Sequence, residues 1–132
     1  MAEIFSIYMH TNIISGKSYI GYTKKSVEER FRHHMELARH KKHRSYFQRA
    51  LLKHGIRGFE STTLKMVKTL EEALYWEKIY IFALRTKYPG GYNLTDGGEG
   101  VKGLRFPSEV RAKMSMLAKR RLQNPELMLQ GA

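Results

Sequence analysis

The 132-residue chain contains no cysteine, and this absence removes several kinds of chemistry at once. Disulfides, thiolate zinc sites, iron–sulfur clusters and cysteine nucleophiles are all excluded. The apolar runs are far shorter than the roughly 20 residues of a membrane span. The first 21 residues also lack the basic start and apolar block of a secretory signal. We therefore expect a soluble cytoplasmic protein with no membrane partner.

Acidic residues are also scarce, because 12 Asp and Glu stand against 24 Lys and Arg, for a net charge of +12. Residues 24–57 carry +8 and residues 101–132 carry +5, whereas the stretch between them is nearly neutral. Hydrophobic residues make up 42% of the chain, which suffices for the core of one domain. A basic block is often only a solvated helix face, but two such blocks favour a polyanion, nucleic acid before an anionic membrane surface.

The spacing of apolar, capping and turn residues predicts the order β-β-α-α-β-α, then a glycine-rich loop and a last helix. Predicted strands cover residues 3–9, 17–22 and 59–67, and predicted helices cover 27–39, 46–53, 70–84 and 108–122. The predicted N-caps of these helices are Ser26, Ser45, Thr69 and Ser108. This order is typical of an α+β domain with a small, three-stranded, mainly antiparallel sheet flanked by helices.

The predicted third helix holds a carboxylate in an unexpected place. Its apolar stripe consists of Leu70, Ala73, Leu74, Ile81 and Leu84. Glu77 falls in the middle of that stripe, where an ionised carboxylate is costly unless it is paired or binds a metal. A salt bridge to Arg30 and a metal-binding or catalytic role would both explain it. Because no second carboxylate lies at a helpful spacing, such a metal would be Mg²⁺, which keeps waters and takes phosphate oxygens.

Two tyrosines and one Arg–His pair are further candidates. Tyr8 and Tyr19 lie on the predicted hairpin strands, where tyrosine usually packs but can act as a general acid or base beside a cation or histidine. Arg30 and His34 are four residues apart and share one face of the predicted first helix. The histidines have no recognisable zinc-ligand spacing.

Several short motifs, in this order, resemble the GIY-YIG nuclease superfamily in its homing-endonuclease branch. They are Ser6-Ile7-Tyr8, Tyr19-Ile20-Gly21, Arg30 with His34, Glu77, and Gly91-Tyr92-Asn93-Leu94. Ser6 replaces the usual glycine and, as the next smallest polar choice, should preserve activity. The resemblance implies a catalytic domain over residues 1–97 that hydrolyses DNA phosphodiester bonds. It also implies a monomer or transient dimer on double-stranded DNA, nicking one strand per active site, in bacterial or phage-infected host cytosol.

The resemblance also implies a role for individual residues. Tyr8 would be the general base, helped by Tyr19 or His34, and Arg30 would hold the scissile phosphate. Glu77 would bind one Mg²⁺ (or Mn²⁺) ion per active site, which activates the leaving oxygen.

Two further residues complete the implied catalytic set. Asn93 would orient Glu77 or the phosphate, and His43 matches a second family histidine in the loop after the first helix.

The C-terminal region, residues 98–132, has a second resemblance. After the glycine-rich linker, residues 103–115 are similar to the nuclease-associated modular DNA-binding helix found behind such domains. The basic residues expected to contact DNA are Lys24, Lys25, Lys41, Lys42, Arg44, Arg105, Arg111, Lys113, Lys119 and Arg120. The alternative for the last helix is simple docking on the core through Val110, Met114 and Leu117.

Two other functions remain open at this point. A restriction- or repair-type nuclease of the same fold would use the same motifs. A DNA-binding protein without catalytic activity would use the same basic faces. Glu77 separates the second alternative from a nuclease, because a protein that only binds DNA gains nothing from a carboxylate in an apolar stripe.

Overall fold

A three-stranded antiparallel sheet organises the fold in the computed structural model, which describes residues 3–94 and 105–123. The strands are β1 (Phe5–Asn12), β2 (Ser18–Thr23) and β3 (Phe59–Val67), in the spatial order β2-β1-β3. The α-helices of the described ranges are α1 (Val27–His40), α2 (Tyr46–His54), α3 (Leu70–Leu84) and α4 (Ser108–Gln123). The predicted α+β class and order of elements are confirmed.

Strand β1 extends further than its sequence indicates, to Asn12 rather than to residue 9. Its last three residues, His10, Thr11 and Asn12, are polar and yet buried. The polar side chains find partners on neighbouring elements: the Thr11 hydroxyl lies 2.8 Å from that of Ser18, and the Asn12 amide donates to the Tyr92 hydroxyl. Such pairing across the fold permits polar residues in a buried strand, and local composition does not reveal it.

The helix starts follow local capping chemistry, with one exception. The hydroxyls of Ser26, Ser45 and Thr69 each accept a hydrogen bond from the backbone N–H three residues later, as predicted. The predicted cap at Ser108 is wrong, because α4 already includes this residue. The carbonyl of Pro107 accepts the first helical bond, from the N–H of Arg111, so proline occupies the capping position.

The sheet separates two chemically different layers. Since strand side chains alternate, Ile7 and Met9 point to one face, where α3 and α4 complete an apolar core. Tyr8 and His10 point to the opposite face, where α1 and α2 supply aromatic neighbours. We refer to these two sides as the α3 face and the α1 face.

Helix α4 docks on the α3 face beside β3. Val110 is completely buried there, and Met114 and Leu117 pack against the same core. The side chain of Glu109 accepts a hydrogen bond from Lys65 on β3 at 2.9 Å. The docking alternative is therefore confirmed, while contact of this helix with DNA stays a prediction. The predicted boundary at residues 97 and 98 and the glycine-rich loop lie outside the described residues.

No helix within residues 3–94 or 105–123 is long and apolar enough to cross a membrane.

Candidate active site

An open cavity of about 490 Å³ lies along the outer edge of β2. Its walls come from β1, β2, the first turns of α1 and the middle of α3. The cavity brings together four of the predicted catalytic residues: Tyr8, Tyr19, Arg30 and Glu77. These side chains come from four different elements, so only the tertiary fold assembles them. The cavity is also lined by Lys24 and Lys25, both exposed, which are predicted DNA contacts.

Tyr8 and His34 form a buried hydrogen-bonded pair at the back of this cavity. The Tyr8 hydroxyl lies 2.8 Å from Nε2 of His34, and only 1% of Tyr8 is exposed. Burial lowers the pKa of His34 to about 3, with Arg30 and His33 adding to the effect. Burial, followed by the neighbouring Tyr19, raises the pKa of Tyr8. Both groups are therefore neutral, and Nε2 of His34 accepts the hydrogen bond from the hydroxyl in the tautomer that carries its hydrogen on Nδ1.

The lack of a side chain at Gly21 leaves room for the Tyr8 hydroxyl group. The two residues are cross-strand partners in the β1–β2 ladder. A Cβ atom at position 21 would lie 2.4 Å from the hydroxyl oxygen of Tyr8 and 2.7 Å from the ring carbon that bears it. No residue with a side chain fits this approach unless Tyr8 moves, and this accounts for glycine in the Tyr19-Ile20-Gly21 motif.

Tyr19 forms the next part of the wall. Its ring stacks on Phe47 of α2 with centroids 4.4 Å apart, and its centroid lies 5.2 Å from that of His34. Burial raises the pKa of Tyr19, and the negative charge of Glu77 raises it further. Tyr19 thus presents a protonated hydroxyl group to the cavity, in a ring position fixed by stacking.

Arg30 is half-buried and lines the cavity. Its Nη1 lies 2.6 Å from Nδ1 of His33, which accepts this hydrogen bond on the same helix. The positive charge of Arg30 acts to lower the pKa of Tyr8, against the effect of burial. The guanidinium is therefore placed to interact with negative charge that develops beside the tyrosine.

Glu77 lies at the edge of the buried side of α3, and the predicted apolar stripe is wrong in part. Leu70 and Leu74 are 48% and 39% exposed, whereas Tyr80 is completely buried. A helix that is apolar on most sides does not define its buried face by spacing alone. Partial burial raises the pKa of the Glu77 carboxyl, although the adjacent Lys78 opposes this shift. The expected salt bridge with Arg30 does not form, and Glu77 has no ion-pair partner in the described ranges.

The donor set around Glu77 suits only one type of metal ion. The described residues contain no group of three or more His, Cys, Asp or Glu side chains that could hold a metal. Glu29 also borders this cavity, but its carboxylate accepts a hydrogen bond from the Ser26 hydroxyl at the start of α1. A site at Glu77 with so few protein ligands fits Mg²⁺ or Mn²⁺, which can take its other ligands from water and from a phosphate. It does not fit Zn²⁺, whose sites use three or four protein ligands.

Besides His34, which lies behind Tyr8, two predicted catalytic residues lie outside the cavity wall. The Asn93 side chain oxygen accepts from Ile20 N–H and Thr86 hydroxyl, and its amide nitrogen donates to the Ile20 carbonyl. Both ends of the amide are therefore engaged, so Asn93 braces β2 between Tyr19 and Gly21 rather than orienting Glu77. His43 is exposed in the loop between α1 and α2 and does not line the cavity.

The predicted DNA contacts differ in their surroundings. Lys41, Lys42, Arg105, Arg111 and Lys119 are exposed, and Lys113 is partly exposed. Arg44 instead donates to the carbonyls of Ala38 and Arg39, where it closes the end of α1. Arg120 donates to Glu60 on β3.

Sequence reasoning missed His10, which lies behind Tyr8 on the α1 face. His10 is completely buried, and its ring centroid is 4.5 Å from that of Tyr8. Strand alternation would place His10 on the same face as Tyr8, but the predicted strand ended at residue 9, one residue before it.

Comparisons with known proteins agree with this arrangement. The family model of the GIY-YIG catalytic domain matches residues 4–93. A protein of Enterobacteria phage T4 that carries the name endonuclease segE is 33% identical over 118 residues, which cover 89% of this chain and 53% of that protein. The chain thus spans about half the length of this curated relative.

Two solved structures also resemble this fold. They are the catalytic domain of homing endonuclease I-TevI and a point mutant of the same domain, called an intron endonuclease. Each is 29% identical and covers 70% of this chain, with TM-scores of 0.59 and 0.60. The match includes 99% and 95% of the two domains, respectively.

Proposed function

This chain belongs to the GIY-YIG catalytic-domain family, and on that premise we propose that it is a metal-dependent DNA endonuclease of the homing type. One observation carries the proposal. One cavity is bordered by Tyr8, which is hydrogen-bonded to His34 behind it, by the guanidinium of Arg30 and by a Glu77 carboxylate without an ion-pair partner among the described residues. A protein that only binds DNA has no use for a buried proton-transfer pair or for an unpaired carboxylate facing the bound phosphates.

The proposed reaction is hydrolysis of a phosphodiester bond by a water molecule. The water gives a proton to the Tyr8 oxygen as the Tyr8 proton moves to Nε2 of His34, across the 2.8 Å hydrogen bond. The water oxygen bonds to phosphorus while the bond from phosphorus to the 3′ oxygen breaks. Concerted transfer avoids a free Tyr8 phenolate, which burial makes unfavourable.

Arg30 is the residue proposed to hold the scissile phosphate. A planar guanidinium matches two phosphate oxygens and offsets the charge that accumulates on them during attack. Its bond to His33 fixes the side chain in the cavity beforehand. Tyr19 borders the same space and donates a hydrogen bond to the phosphate or to the water.

Glu77 is the residue proposed to hold the metal ion. When bound, Mg²⁺ or Mn²⁺ would offset negative charge on the leaving 3′ oxygen. Partial burial favours this role, because a partly buried carboxylate without a cationic partner gains more from a bound cation than a fully solvated carboxylate does.

Double-stranded DNA is the proposed partner, held mainly through its phosphates. Lys24 and Lys25 border the cavity, and the exposed lysines of the loop after α1, Lys41 and Lys42, extend the positive surface. The ion pair of Lys24 with Glu3 is exposed and can exchange for a phosphate at little cost. Such contacts give affinity that falls with salt and carry little sequence information.

One domain with one metal ion would cut one strand at each visit, so we propose that the enzyme acts as a monomer or a transient dimer. A double-strand break then requires two sequential nicks or transient dimerisation. Nicked circular DNA should therefore precede linear DNA in a plasmid time course, and linear product without a nicked intermediate would contradict this part of the proposal.

The test is cleavage of supercoiled plasmid at low salt, in Mg²⁺ and in EDTA, by wild type, Glu77→Gln and Glu71→Gln. Wild type should nick only with the metal, and Glu77→Gln should bind DNA normally but cut more than about a hundredfold more slowly. Glu71 is an exposed acidic residue on the same helix, so Glu71→Gln should cut normally. If wild type binds every DNA tried and cuts none, the chain is a DNA-binding module and the proposal fails.

A further inference from the structure

His10 is a fully buried histidine that the proposed reaction leaves unused. It lies in the middle strand, directly opposite Tyr19 on β2 and Ser61 on β3. These three side chains form one row across the sheet on the α1 face. His10 has no solvent-exposed surface, since its relative exposure is 0%.

The His10 ring touches both members of the proton-transfer pair. Its centroid lies 4.5 Å from the Tyr8 ring, at an interplanar angle of 33°. It meets the His34 ring almost at right angles, 81°, with centroids 5.9 Å apart. The Phe31 ring packs edge-on against His10, with centroids 4.8 Å apart. A displaced His10 would therefore change the position of Tyr8 relative to His34.

The two nitrogens of His10 have different surroundings. Nδ1 lies 2.8 Å from the Ser61 hydroxyl, with which it forms a hydrogen bond. Nε2 is buried and has no hydrogen-bond partner among the described residues. An unsatisfied buried polar group lowers stability, and a phenylalanine in the same aromatic surroundings would avoid that loss. Such groups are rare in native proteins and call for an explanation.

The lack of a hydrogen-bond partner for Nε2 is explained if His10 acts when a positive charge forms on His34 beside it. When Nδ1–H donates to Ser61, Nε2 presents an unshared electron pair, and the imidazole dipole has its negative end in a dry site. The transfer of the Tyr8 proton converts His34 into an imidazolium ion within this site. Dipoles act strongly where water is excluded, so a neutral imidazole stabilises that ion more than a benzene ring can.

We propose that His10, oriented by Ser61, is a positioning residue for DNA cleavage that fixes the Tyr8–His34 pair and stabilises His34 after it receives the Tyr8 proton. This rests on the proposed endonuclease function. His10 itself neither gains nor loses a proton, so only the Tyr8 O–H bond breaks and only the His34 N–H bond forms.

The test compares His10→Phe, His10→Gln and Ser61→Ala with wild type, using steady-state plasmid nicking, DNA binding and thermal unfolding. His10→Phe should keep its unfolding temperature or raise it, leave KM and DNA binding unchanged, and lower kcat about tenfold or more. His10→Gln places an amide atom near the position of Nε2 and should recover part of kcat. Ser61→Ala should fall between wild type and His10→Phe, because the ring stays but loses its orientation.

The matched control is Met9→Leu, on the same strand but on the α3 face, which should leave kcat unchanged. If folded His10→Phe nicks DNA at the wild-type rate, His10 only fills the core and the inference is overturned. If His10→Phe does not fold, unchanged kcat in both His10→Gln and Ser61→Ala overturns it equally. If the wild-type protein cuts no DNA, both the endonuclease proposal and the role of His10 are overturned. The two outcomes above overturn only the role of His10 and leave the endonuclease proposal standing.

Discussion

The two faces of the sheet differ in the kind of residue they bury. On the α3 face, Ile7, Ile20 and Val110 are completely buried in an apolar core. On the α1 face, Tyr8, His10 and His34 lie at 0–8% exposure among aromatic rings. Apolar residues of similar size would be more stable in the second set of positions. One face therefore stabilises the fold, and the other retains polar groups that the proposed chemistry needs.

The largest expected effect comes from changing the proton acceptor on the α1 face. In His34→Gln an amide can still receive the Tyr8 hydrogen bond, but it cannot take the proton. Plasmid nicking should fall by roughly 10²–10⁴-fold, while the unfolding temperature stays close to wild type. The control is His40→Gln on the exposed end of the same helix, measured in the same assay. Normal nicking by His34→Gln would show that the α1 face is not the site of proton transfer.

A smaller effect is expected from Gly21→Ala, which presses on Tyr8 from the neighbouring strand. The new Cβ would lie 2.4 Å from the Tyr8 hydroxyl, so the ring must move away from His34. Displacement by about 1 Å at a reacting group can lower the rate about a hundredfold.

Gly21→Ala should also lower the free energy of unfolding, by about 1–3 kcal/mol through overpacking. Single-turnover nicking and urea unfolding measure the two effects separately. We expect a loss of nicking rate much larger than the unfolded fraction of the variant explains. A rate loss that the unfolded fraction fully explains would contradict the close approach of residue 21 to Tyr8.

A further expected effect is a pH dependence of stability that comes from the two buried histidines of the α1 face. Burial lowers the pKa of both His10 and His34 from 6.5 to about 3. Below pH 6.5 the unfolded chain binds protons at these residues while the folded chain does not, so stability falls as pH falls. Each histidine contributes at most about 1.4 kcal/mol per pH unit.

Urea unfolding between pH 7 and pH 5 measures this slope. His10→Phe should remove about half of it, and Met9→Leu should leave it unchanged. An equal slope in His10→Phe and wild type would mean that His10 is not held neutral in the fold.

The sequence predicted the elements better than it predicted the buried faces. Strand β3 and helix α3 have the predicted bounds, because their apolar content and flanking turn residues are local signals. The buried side of α3 was placed wrongly, since Leu70 and Leu74 are exposed. Which side of a mostly apolar helix is buried depends on the sheet against which it packs.

The candidate site was predicted mainly through the family resemblance. Tyr8, Tyr19, Arg30 and Glu77 meet at one cavity, as the motifs imply. Asn93 did not join them, because residues after α3 return beside β2, where its amide binds the strand backbone. That return is a tertiary contact that no local pattern indicates. His10 was missed for a related reason, since its partner Ser61 lies 51 positions away.

The most direct test of the difference between the two faces uses neighbouring residues of β1. Ile7 and Tyr8 are adjacent in sequence and almost fully buried, but they point to opposite faces. Tyr8→Phe should lower the single-turnover nicking rate roughly 10²–10⁴-fold with little change in the free energy of unfolding. Ile7→Val should instead lower that free energy by about 0.5–1.5 kcal/mol and leave the nicking rate per folded molecule unchanged. Normal nicking by Tyr8→Phe, or a rate loss of similar size in Ile7→Val, would contradict the assignment of the α1 face to catalysis.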